Sequence, residues 1–369
     1  NSSIRGGQTG AMTRYYNSEE GQMDEGTFLC DLDCNSLYAT VMMKFSFPCS
    51  EWHVIHYRQE LRRADVLQEI KAQHAGGYSG FIECDFNVID DRRIHSYVPV
   101  ASKRKLVGVY NYQAMAEMAN AVGENLNQYA FVGLCNVVGE HHHYCCHTRL
   151  LEFYLEHEFI ELKRVYRAVY GREYEVFNRY VTKNLEERKK YADDPIKKML
   201  YKLMNNALYG KTYEDVTQRS DIKIISSHEF SELEPHEVKR EIMKLSDWVI
   251  YEAPKKEFLI DKPIYLGAAI TEYSKLWMYK FFYEDIRPRF PATEVYYTDT
   301  DALTIKFSHE TGVHSLYDLA IALNTPERAV IDTSNWPSEM KLSPVHTKHN
   351  NEPGLFKSET GYSRIVKMI

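Results

Sequence analysis

The chain has 369 residues, of which 26% are charged and 44% are hydrophobic, and these proportions are ordinary for two or three globular domains. They exclude a chain that is disordered, collagen-like or coiled-coil throughout. No apolar run approaches the ~18 residues of a membrane span and no signal peptide opens the chain, so we expect no membrane partner. The seven cysteines favour a reducing compartment over a disulfide framework, and the net charge of −7 argues against a histone-like coat on nucleic acid.

The first fifty residues predict a loop, a buried strand and a helix. Residues 1–25 are rich in glycine and serine, which is typical of loop. Residues 27–33 (TFLCDLD) predict a buried strand, and residues 36–44 (SLYATVMMK) predict a helix. The strand therefore ends at Asp33, beside a helix N-terminus, where a carboxylate usually holds a metal ion or caps the helix.

Residues 51–147 predict a separate α+β segment. A helix is expected at 60–74, and residues 81–89 (FIECDFNVI) alternate between apolar and polar side chains as a strand with one buried face does. Two further strands are expected near 128–137 and 140–147. The string HHHYCCH in the last of these invites a zinc interpretation, but no cysteine pair with fitting spacing accompanies its histidines, so we favour an alternating strand.

The middle of the chain predicts three helices and one strand. A helix, a strand and a second helix are expected at 148–157, 160–169 and 173–192. Asp194 as N-cap and Pro195 at the first helical position then start a third helix, which Gly210 should end. On this helix Lys198, Lys202 and Asn206 share one face, with Tyr209 close to the same stripe. Such a polar stripe usually faces solvent, although two cations could equally hold a chain of phosphates.

The last third of the chain predicts a helix and a hairpin. Residues 266–286 predict a long aromatic helix that packs in the core. Residues 294–307 (EVYYTDTDALTIKF) predict two strands joined by a tight turn. This turn contains Asp299, Thr300 and Asp301, and it could direct both carboxylates to one point.

Asp33, Asp299 and Asp301 thus lie at strand ends, where they could share a cation. Crowded carboxylates repel one another unless a cation neutralises them, and oxygen ligands of this kind suit Mg²⁺. With Lys198 and Lys202 to hold phosphates, the chemistry indicated is phosphoryl transfer with two metal ions. An aspartate in a β-turn is more often only a turn former, so spacing alone leaves both interpretations open.

Three strings in order carry a family resemblance. DCNSLY at 33–38, KLMNNALYG at 202–210 and YTDTD at 297–301 resemble three motifs of family B DNA polymerases. IRGG at 4–7 resembles an element of the protein-primed branch of that family. The strings at 262–279, 332–337 (DTSNWP) and 354–359 (GLFKSE) are similar to polymerases of Polinton/Maverick elements and related viruses and plasmids.

The resemblance implies an α+β fold with a palm built on an antiparallel sheet, helical fingers and an α+β insertion. The implied division is listed here in chain order: a first palm segment at 1–50, the insertion at 51–147, palm at 148–170, fingers at 171–215 and palm at 216–369. Exonuclease and thumb domains, usual in the family, are expected to lie outside this chain, which begins at Asn1. The insertion would occupy the place that contacts the priming protein in protein-primed relatives.

The resemblance also implies roles for single residues. Asp33 and Asp301 would bind two Mg²⁺ ions, which Mn²⁺ could replace, and Asp299 would be the accessory catalytic carboxylate. Tyr38 would exclude a ribose 2′-OH. The expected dNTP-binding residues are Ser36, Leu37, Tyr38, Lys190, Lys198, Lys202, Asn206 and Tyr209. The expected DNA-binding residues are Arg5, Gly6, Gly7, Gly210, Tyr297, Thr300 and Lys357.

The implied reaction is attack of a primer 3′-OH on a dNTP, with template-primer DNA as partner and a hydroxyl of a terminal protein as possible first primer. The replication would be that of a mobile element, virus or plasmid. Two other interpretations stay open: a decayed, non-catalytic remnant that binds DNA weakly, and another two-metal nucleotidyltransferase such as a reverse transcriptase. The latter does not explain KLMNNALYG on a helix after Asp33. Nothing in the sequence indicates a cellular location.

Overall fold

The fold was analysed in a computed structural model that describes residues 5–13, 15–57, 62–94, 96–107, 110–111, 130–191, 193–255, 257–337, 351–360 and 365–368. The helices, numbered α1 to α8, are Leu37–Lys44, Arg63–Ala75, Thr148–Glu156, Asn178–Lys190, Pro195–Thr212, Ser227–Ser231, Ile264–Lys280 and Leu316–Leu323. A π-helical turn, Phe281–Ile286, continues α7. None of these helices is long and apolar enough to cross a membrane.

The strands, numbered β1 to β18, are Thr9–Ala11, Tyr16–Asn17, Phe28–Cys34, Phe47–His56, Tyr78–Val88, Ala101–Val107, Tyr110–Asn111, Ala130–Asn136, Gly139–His147, Ile160–Tyr174, Ser220–Ser226, Arg240–Lys244, Trp248–Pro254, Thr293–Asp299, Ala302–Phe307, Ile331–Asp332, Phe356–Ser358 and Lys367–Met368. The described residues form two compact units, one from residues 1–206 with 268–369 and one from 207–267. The α+β class is therefore confirmed.

A six-stranded sheet in the larger unit carries the acidic motifs. Its order is β1-β14-β15-β3-β17-β16, and all neighbours are antiparallel except β16 and β17. Strand β3 buries Leu32 and Cys34 on one face and places Asp31 and Asp33 on the other, because successive side chains of a strand alternate. The antiparallel sheet expected for a palm is thus present, and it includes the predicted hairpin of β14 and β15.

A second sheet in the same unit has the order β4-β10-β5-β9. The face of β5 that was predicted to be buried is buried, and the histidine- and cysteine-rich string forms strand β9. The predicted alternation is interrupted at His142 and His143, which are both exposed, where the pairing with β5 shifts register. Strand β10 lies in the segment assigned to the palm, yet it pairs with β4 and β5 of the predicted insertion. One sheet therefore joins residues on both sides of the predicted boundary at residue 147.

Helix α7 packs in the core, as its aromatic stripe predicts. Ile270 and Tyr273 are fully buried, and Phe281, in the π-helical turn, stacks on Phe356 of β17 with 3.4 Å between ring centroids. The smaller unit has its own three-stranded sheet, β11-β13-β12, and a small core around Val249, Tyr251 and Ala253. Residues 216–267, predicted to be palm, belong to this smaller unit.

Several predicted boundaries were wrong by a few residues. The segment predicted as loop contains the short strands β1 and β2, which are held by pairing with β14 and β18 from the far end of the sequence. Strand β10 continues to Tyr174 because it keeps pairing with β4, so the next helix begins at Asn178 instead of 173. Helix α5 passes Gly210 and ends at Thr212, whose hydroxyl donates to the Tyr209 carbonyl. Residues 4, 60–61, 128–129 and 192 of the predicted strings and elements lie outside the described residues.

Candidate active site

Strand register brings Asp33 and Asp301 to one end of the six-stranded sheet. Asp33 in β3 is opposite Ala302, the first residue of β15, and Asp301 immediately precedes it. The Cys34 amide donates a hydrogen bond to the Asp301 carbonyl at 2.7 Å. Two aspartates that are 268 positions apart in the sequence therefore line the same cleft.

Asp299 lies outside this cleft. Its side chain is exposed, and its carboxylate accepts a hydrogen bond from the Thr9 hydroxyl at 2.8 Å. Asp301 therefore lines the cleft and Asp299 does not, while β1 pairs alongside Asp299. That the turn directs both carboxylates to one metal site stays a prediction. Within the part of the chain that the structure describes, no group of three or more His, Cys, Asp or Glu side chains could hold a metal ion.

Ionisation of both carboxyl groups in the cleft, those of Asp33 and Asp301, is electrostatically unfavourable. Burial is the main cause that raises the pKa of Asp33 to about 7, and the negative charges of Asp301 and Glu359 add to it. Burial also raises the pKa of Asp301, with a further contribution from Asp299. Lys202 acts in the opposite direction on both. A cation between the carboxylates would relieve this cost, so the donor set fits a hard divalent ion that takes its other oxygens from water and phosphates.

Cationic and amide side chains of α4 and α5 line the same cleft, which has a volume of about 430 Å³. Lys202 and Asn206 are among them, as predicted, together with Arg188 and the buried Asn205. Asn184 of α4 donates to the Asn205 side chain at 2.8 Å, which joins the two helices. The cleft thus has acids from the sheet and cations from the helices.

The first motif forms the remaining wall of the cleft. Ser36, Leu37 and Tyr38 line it, and Ser36 has a left-handed backbone with φ 53°. The Asn35 amide donates to the Leu355 carbonyl and the Cys34 amide to Asp301, so these two amides are not available to a ligand. The amides at positions 36–38, at the start of α1, are the backbone candidates on this wall for contact with a phosphate group.

A second cavity, of about 220 Å³, adjoins the motif at Asn35 and Ser36. Its cationic lining residues are Arg188, Lys189 and Lys198. The structure thus brings Lys198 near Ser36, as predicted. Lys190 lines neither cavity, and its ammonium group forms an ion pair with Glu187 at 2.6 Å, whereas Arg188 lines both cavities.

The model of the family described as DNA polymerase type B, organellar and viral, matches residues 1–288. The chain belongs to this family. It has no significant match among curated proteins.

Solved structures similar to this type B polymerase chain include two of Phi29 DNA polymerase. An orthorhombic crystal form has 14% identity and a TM-score of 0.48, over 99% of this chain and 47% of that one. A ternary complex with primer-template DNA and incoming nucleotide substrates has 14% identity and a TM-score of 0.40, over 83% of this chain and 42% of that one. The chain therefore spans less than half the length of these polymerases.

Arg5 of this type B polymerase chain is part of the core and not a DNA contact. It is 5% exposed, its guanidinium lies over the Tyr144 ring at 3.7 Å and donates to the Cys145 carbonyl at 2.9 Å, and it is 3.6 Å from the fully buried Glu272. A basic residue beside two glycines is typical of an exposed loop, and this pattern predicted that Arg5 lies at the surface. The prediction was wrong because the ion pair and the aromatic ring compensate burial of the charge.

The two glycines after Arg5 differ in their surroundings. Gly6 is exposed with open space around it, whereas a Cβ at Gly7 would collide with the Thr300 side chain. The Thr300 amide donates to the Gln8 carbonyl at 2.8 Å, and Thr300 has a left-handed backbone with φ 58°. Gly7 therefore gives room to the turn that carries Asp301.

The other predicted DNA contacts are spread over several elements. Tyr297 is half-buried in β14, and Lys357 of β17 is half-buried opposite Asp33, with its ammonium group donating to the Asn351 side chain at 3.3 Å. Tyr209 and Gly210 lie in the smaller unit, where the Tyr209 ring packs edge-on to Tyr213. The roles of these four residues in binding DNA or dNTP stay predictions.

Five lining residues were not among the predicted sites: Asn35, Ala39, Arg188, Asn205 and Glu359. Asn35, Asn205 and Glu359 stand inside the motif strings DCNSLY, KLMNNALYG and GLFKSE, Ala39 directly follows the first of these, and Arg188 is two residues before the predicted Lys190. Helical spacing could have indicated Arg188 but could not decide between Asn205 and Asn206. Glu359 follows β17, whose pairing with β3 is a long-range contact that no local pattern predicts.

Proposed function

We propose that this chain is the core of a DNA-directed DNA polymerase that transfers dNMP from a dNTP to a primer 3′-OH. The observation that carries the proposal is the single cleft in which Asp33 and Asp301 face Lys202, Arg188 and the Ser36 turn. Acids at one wall and cations at the other suit a reaction that needs both metal ions and phosphate groups. Membership of the type B polymerase family supports the same assignment.

In the proposed reaction the primer 3′-oxygen attacks the α-phosphorus of the dNTP. A new bond forms between that oxygen and phosphorus, the bond from the α-phosphorus to the bridging oxygen breaks, and pyrophosphate leaves with the electron pair, while the hydroxyl proton passes to water. Asp33 and Asp301 would hold two Mg²⁺ ions, or Mn²⁺ in their place, which lower the pKa of the attacking hydroxyl and neutralise the leaving group. Asp299, which hydrogen-bonds to Thr9, is proposed only as an accessory residue.

The helical wall would hold the nucleotide. Lys202 and Arg188 are the proposed contacts to its phosphates, with Lys198 in the adjoining cavity. Asn206 and Tyr209 are proposed to line the base-pair pocket, and Tyr38 to exclude a ribose 2′-OH. These roles rest on residue chemistry and on the motif resemblance.

The proposed macromolecular partner is template-primer DNA. A neighbouring structure is of Phi29 DNA polymerase with primer-template DNA and incoming nucleotides. Gly6, Gly7, Gly210, Tyr297, Thr300 and Lys357 remain the candidate DNA contacts. A terminal protein as first primer, and replication of a mobile element, virus or plasmid, follow from the motif resemblance and belong to the proposal.

The test is primer extension on a recessed-end duplex with four dNTPs and Mg²⁺ or Mn²⁺. The parent chain is compared with Asp33→Asn, Asp301→Asn and a matched control, Asp31→Asn. Asp31 lies on the same face of β3, where it accepts from the Thr304 hydroxyl, but it does not line the cleft. Extension by the parent and the control, and none by the other two, is expected. A folded parent chain that extends nothing with either ion would refute the proposal and favour the non-catalytic remnant. An active Asp33→Asn would instead refute the assignment of Asp33 as a metal ligand.

A further inference from the structure

Asn35 links the first motif to a segment far along the chain. Its amide donates to the Leu355 carbonyl at 2.8 Å, and its carbonyl accepts from the Gly354 amide at 2.9 Å. Its side-chain nitrogen donates to Asp332 at 2.7 Å and to the Glu352 carbonyl at 3.3 Å. Hydrogen bonds to residues between 332 and 355 thus hold both the backbone and the side chain of Asn35.

Asp332 is the acidic partner in this link. It is 1% exposed, and its carboxylate accepts three N–H groups: Asn35 Nδ2, the Asn351 amide at 2.9 Å and the Ser334 amide at 2.9 Å. A buried carboxylate with three donors has a fixed position, since loss of any acceptor would leave a buried donor unsatisfied. Asp332 belongs to the DTSNWP string, for which the proposed reaction supplies no role.

The residue after Asn35 has a strained backbone. Ser36, with φ 53°, is a left-handed residue that is not glycine, and such a conformation persists only where neighbouring contacts impose it. The Thr40 hydroxyl contacts the carbonyls of Asn35 and Ser36, and Arg188 donates to the Ser36 hydroxyl at 3.4 Å. The contacts of Asn35 and Ser36 therefore hold the wall of the cleft in this shape.

Asp33 is held by other means. It is part of the six-stranded sheet, opposite Ala302 on one side and Lys357 on the other. Asp332 is in the same sheet, where its backbone lies opposite Lys357, but a change confined to its side chain keeps this backbone pairing. Such a change would therefore loosen Asn35 and Ser36 and leave Asp33 in its strand.

We propose that Asp332 is a positioning residue for nucleotide binding, which acts through Asn35 on the Ser36 turn. This inference rests on the proposed polymerase function, because the proposed function is what gives the Ser36 turn a role in binding the incoming nucleotide. Its consequence is a separation of kinetic effects: Asp332 governs the KM for dNTP, while Asp33 governs kcat. Asp332 itself is not among the residues that line the cleft, so its effect on the turn is indirect.

The test compares Asp332→Asn with Asp318→Asn in the same chain. Asparagine has the volume of aspartate but one acceptor oxygen fewer, and its NH₂ would face the donors of Asn35 or Ser334. Asp318 is a control of the same chemistry: it accepts from the His314 amide and the Ser315 hydroxyl at the start of α8, away from the motif. We expect KM for dNTP to rise about tenfold in Asp332→Asn with kcat changed by less than about threefold, and neither to change in Asp318→Asn.

Two further measurements separate positioning from a general loss of structure. Hydrogen exchange should be faster in the peptide that covers residues 33–38 of Asp332→Asn, and unchanged in the sheet peptide that covers β15. Combining Asp332→Asn with Asn35→Ala should raise KM no further than the larger single effect, because the two act through one contact.

Each outcome has a definite meaning. Equal KM values in Asp332→Asn and the parent, additive effects with Asn35→Ala, or a fall in kcat alone would overturn the inference while the parent still extends primers. A parent that does not extend primers would instead refute the proposed function, and the exchange measurement would then still decide whether Asp332 fixes the turn.

Discussion

Replacing Asp33 with asparagine should stabilise the metal-free protein above neutral pH while it abolishes nucleotide transfer. Burial, with Asp301 and Glu359, raises the pKa of Asp33 from 3.8 to about 7. A pKa increase of that size corresponds to about 4 kcal/mol against the ionised folded state. We reduce this to about 2 kcal/mol because the carboxyl is only partly buried and water screens its charge.

The direction of the pH dependence follows from proton binding. Because the pKa is higher in the folded chain than in the unfolded chain, the folded chain binds more protons between about pH 4 and pH 7. The contribution of Asp33 to the free energy of unfolding therefore falls as the pH rises through this range. Asp33→Asn removes the titration, so variant and parent should be equally stable near pH 4 and differ by about 2 kcal/mol at pH 8.

The assay is urea unfolding in EDTA at several pH values from 4 to 8, repeated with Mg²⁺. Mg²⁺ should stabilise the parent and not Asp33→Asn, because only the parent offers both carboxylates. Asp31→Asn, on the same strand, controls for the loss of one negative charge. The reasoning fails if Asp33→Asn is less stable than the parent at pH 8, or if the difference between them does not depend on pH.

Three further outcomes follow from the described contacts. Lys202→Ala should raise the KM for dNTP about tenfold or more. Its control, Lys190→Ala, loses only an exposed ion pair and should change this KM less than twofold. Equal effects of the two variants in steady-state kinetics would contradict the assignment of Lys202 to the cleft. Arg5→Met should lower the free energy of unfolding by about 1–3 kcal/mol, because the Cys145 carbonyl loses its donor and the buried Glu272 keeps Lys275 but loses Arg5, and a DNA-affinity loss with unchanged urea stability would contradict this. Tyr38→Val should increase ribonucleotide incorporation, and an unchanged dNTP-to-rNTP ratio would remove its proposed role.

Local pattern predicted the elements that carry the site. The strand before Asp33, the helix after it, the helix that carries Lys202 and the hairpin at Asp301 were all confirmed in type, because each depends on periodicity or turn chemistry within about twenty residues. The predicted family and α+β class were confirmed as well. What could not be predicted depends on pairing across the chain: β17 beside β3 adds Glu359 to the cleft, and β1 beside β14 keeps Asp299 out of it.

A motif marks positions without saying what makes each position necessary. Arg5, Gly6 and Gly7 resembled a DNA-binding element, and the natural inference was contact with a backbone phosphate. In the fold, Arg5 is buried against Tyr144 and Glu272, and Gly7 is small because Thr300 occupies the space where its side chain would be. Arg5 thus belongs to the buried core, and Gly7 leaves room for the turn before Asp301. A basic residue beside glycines has the same local pattern in either role, so only the long-range packing of residues 5–8 on the turn and on α7 distinguishes support of the site from contact with its substrate.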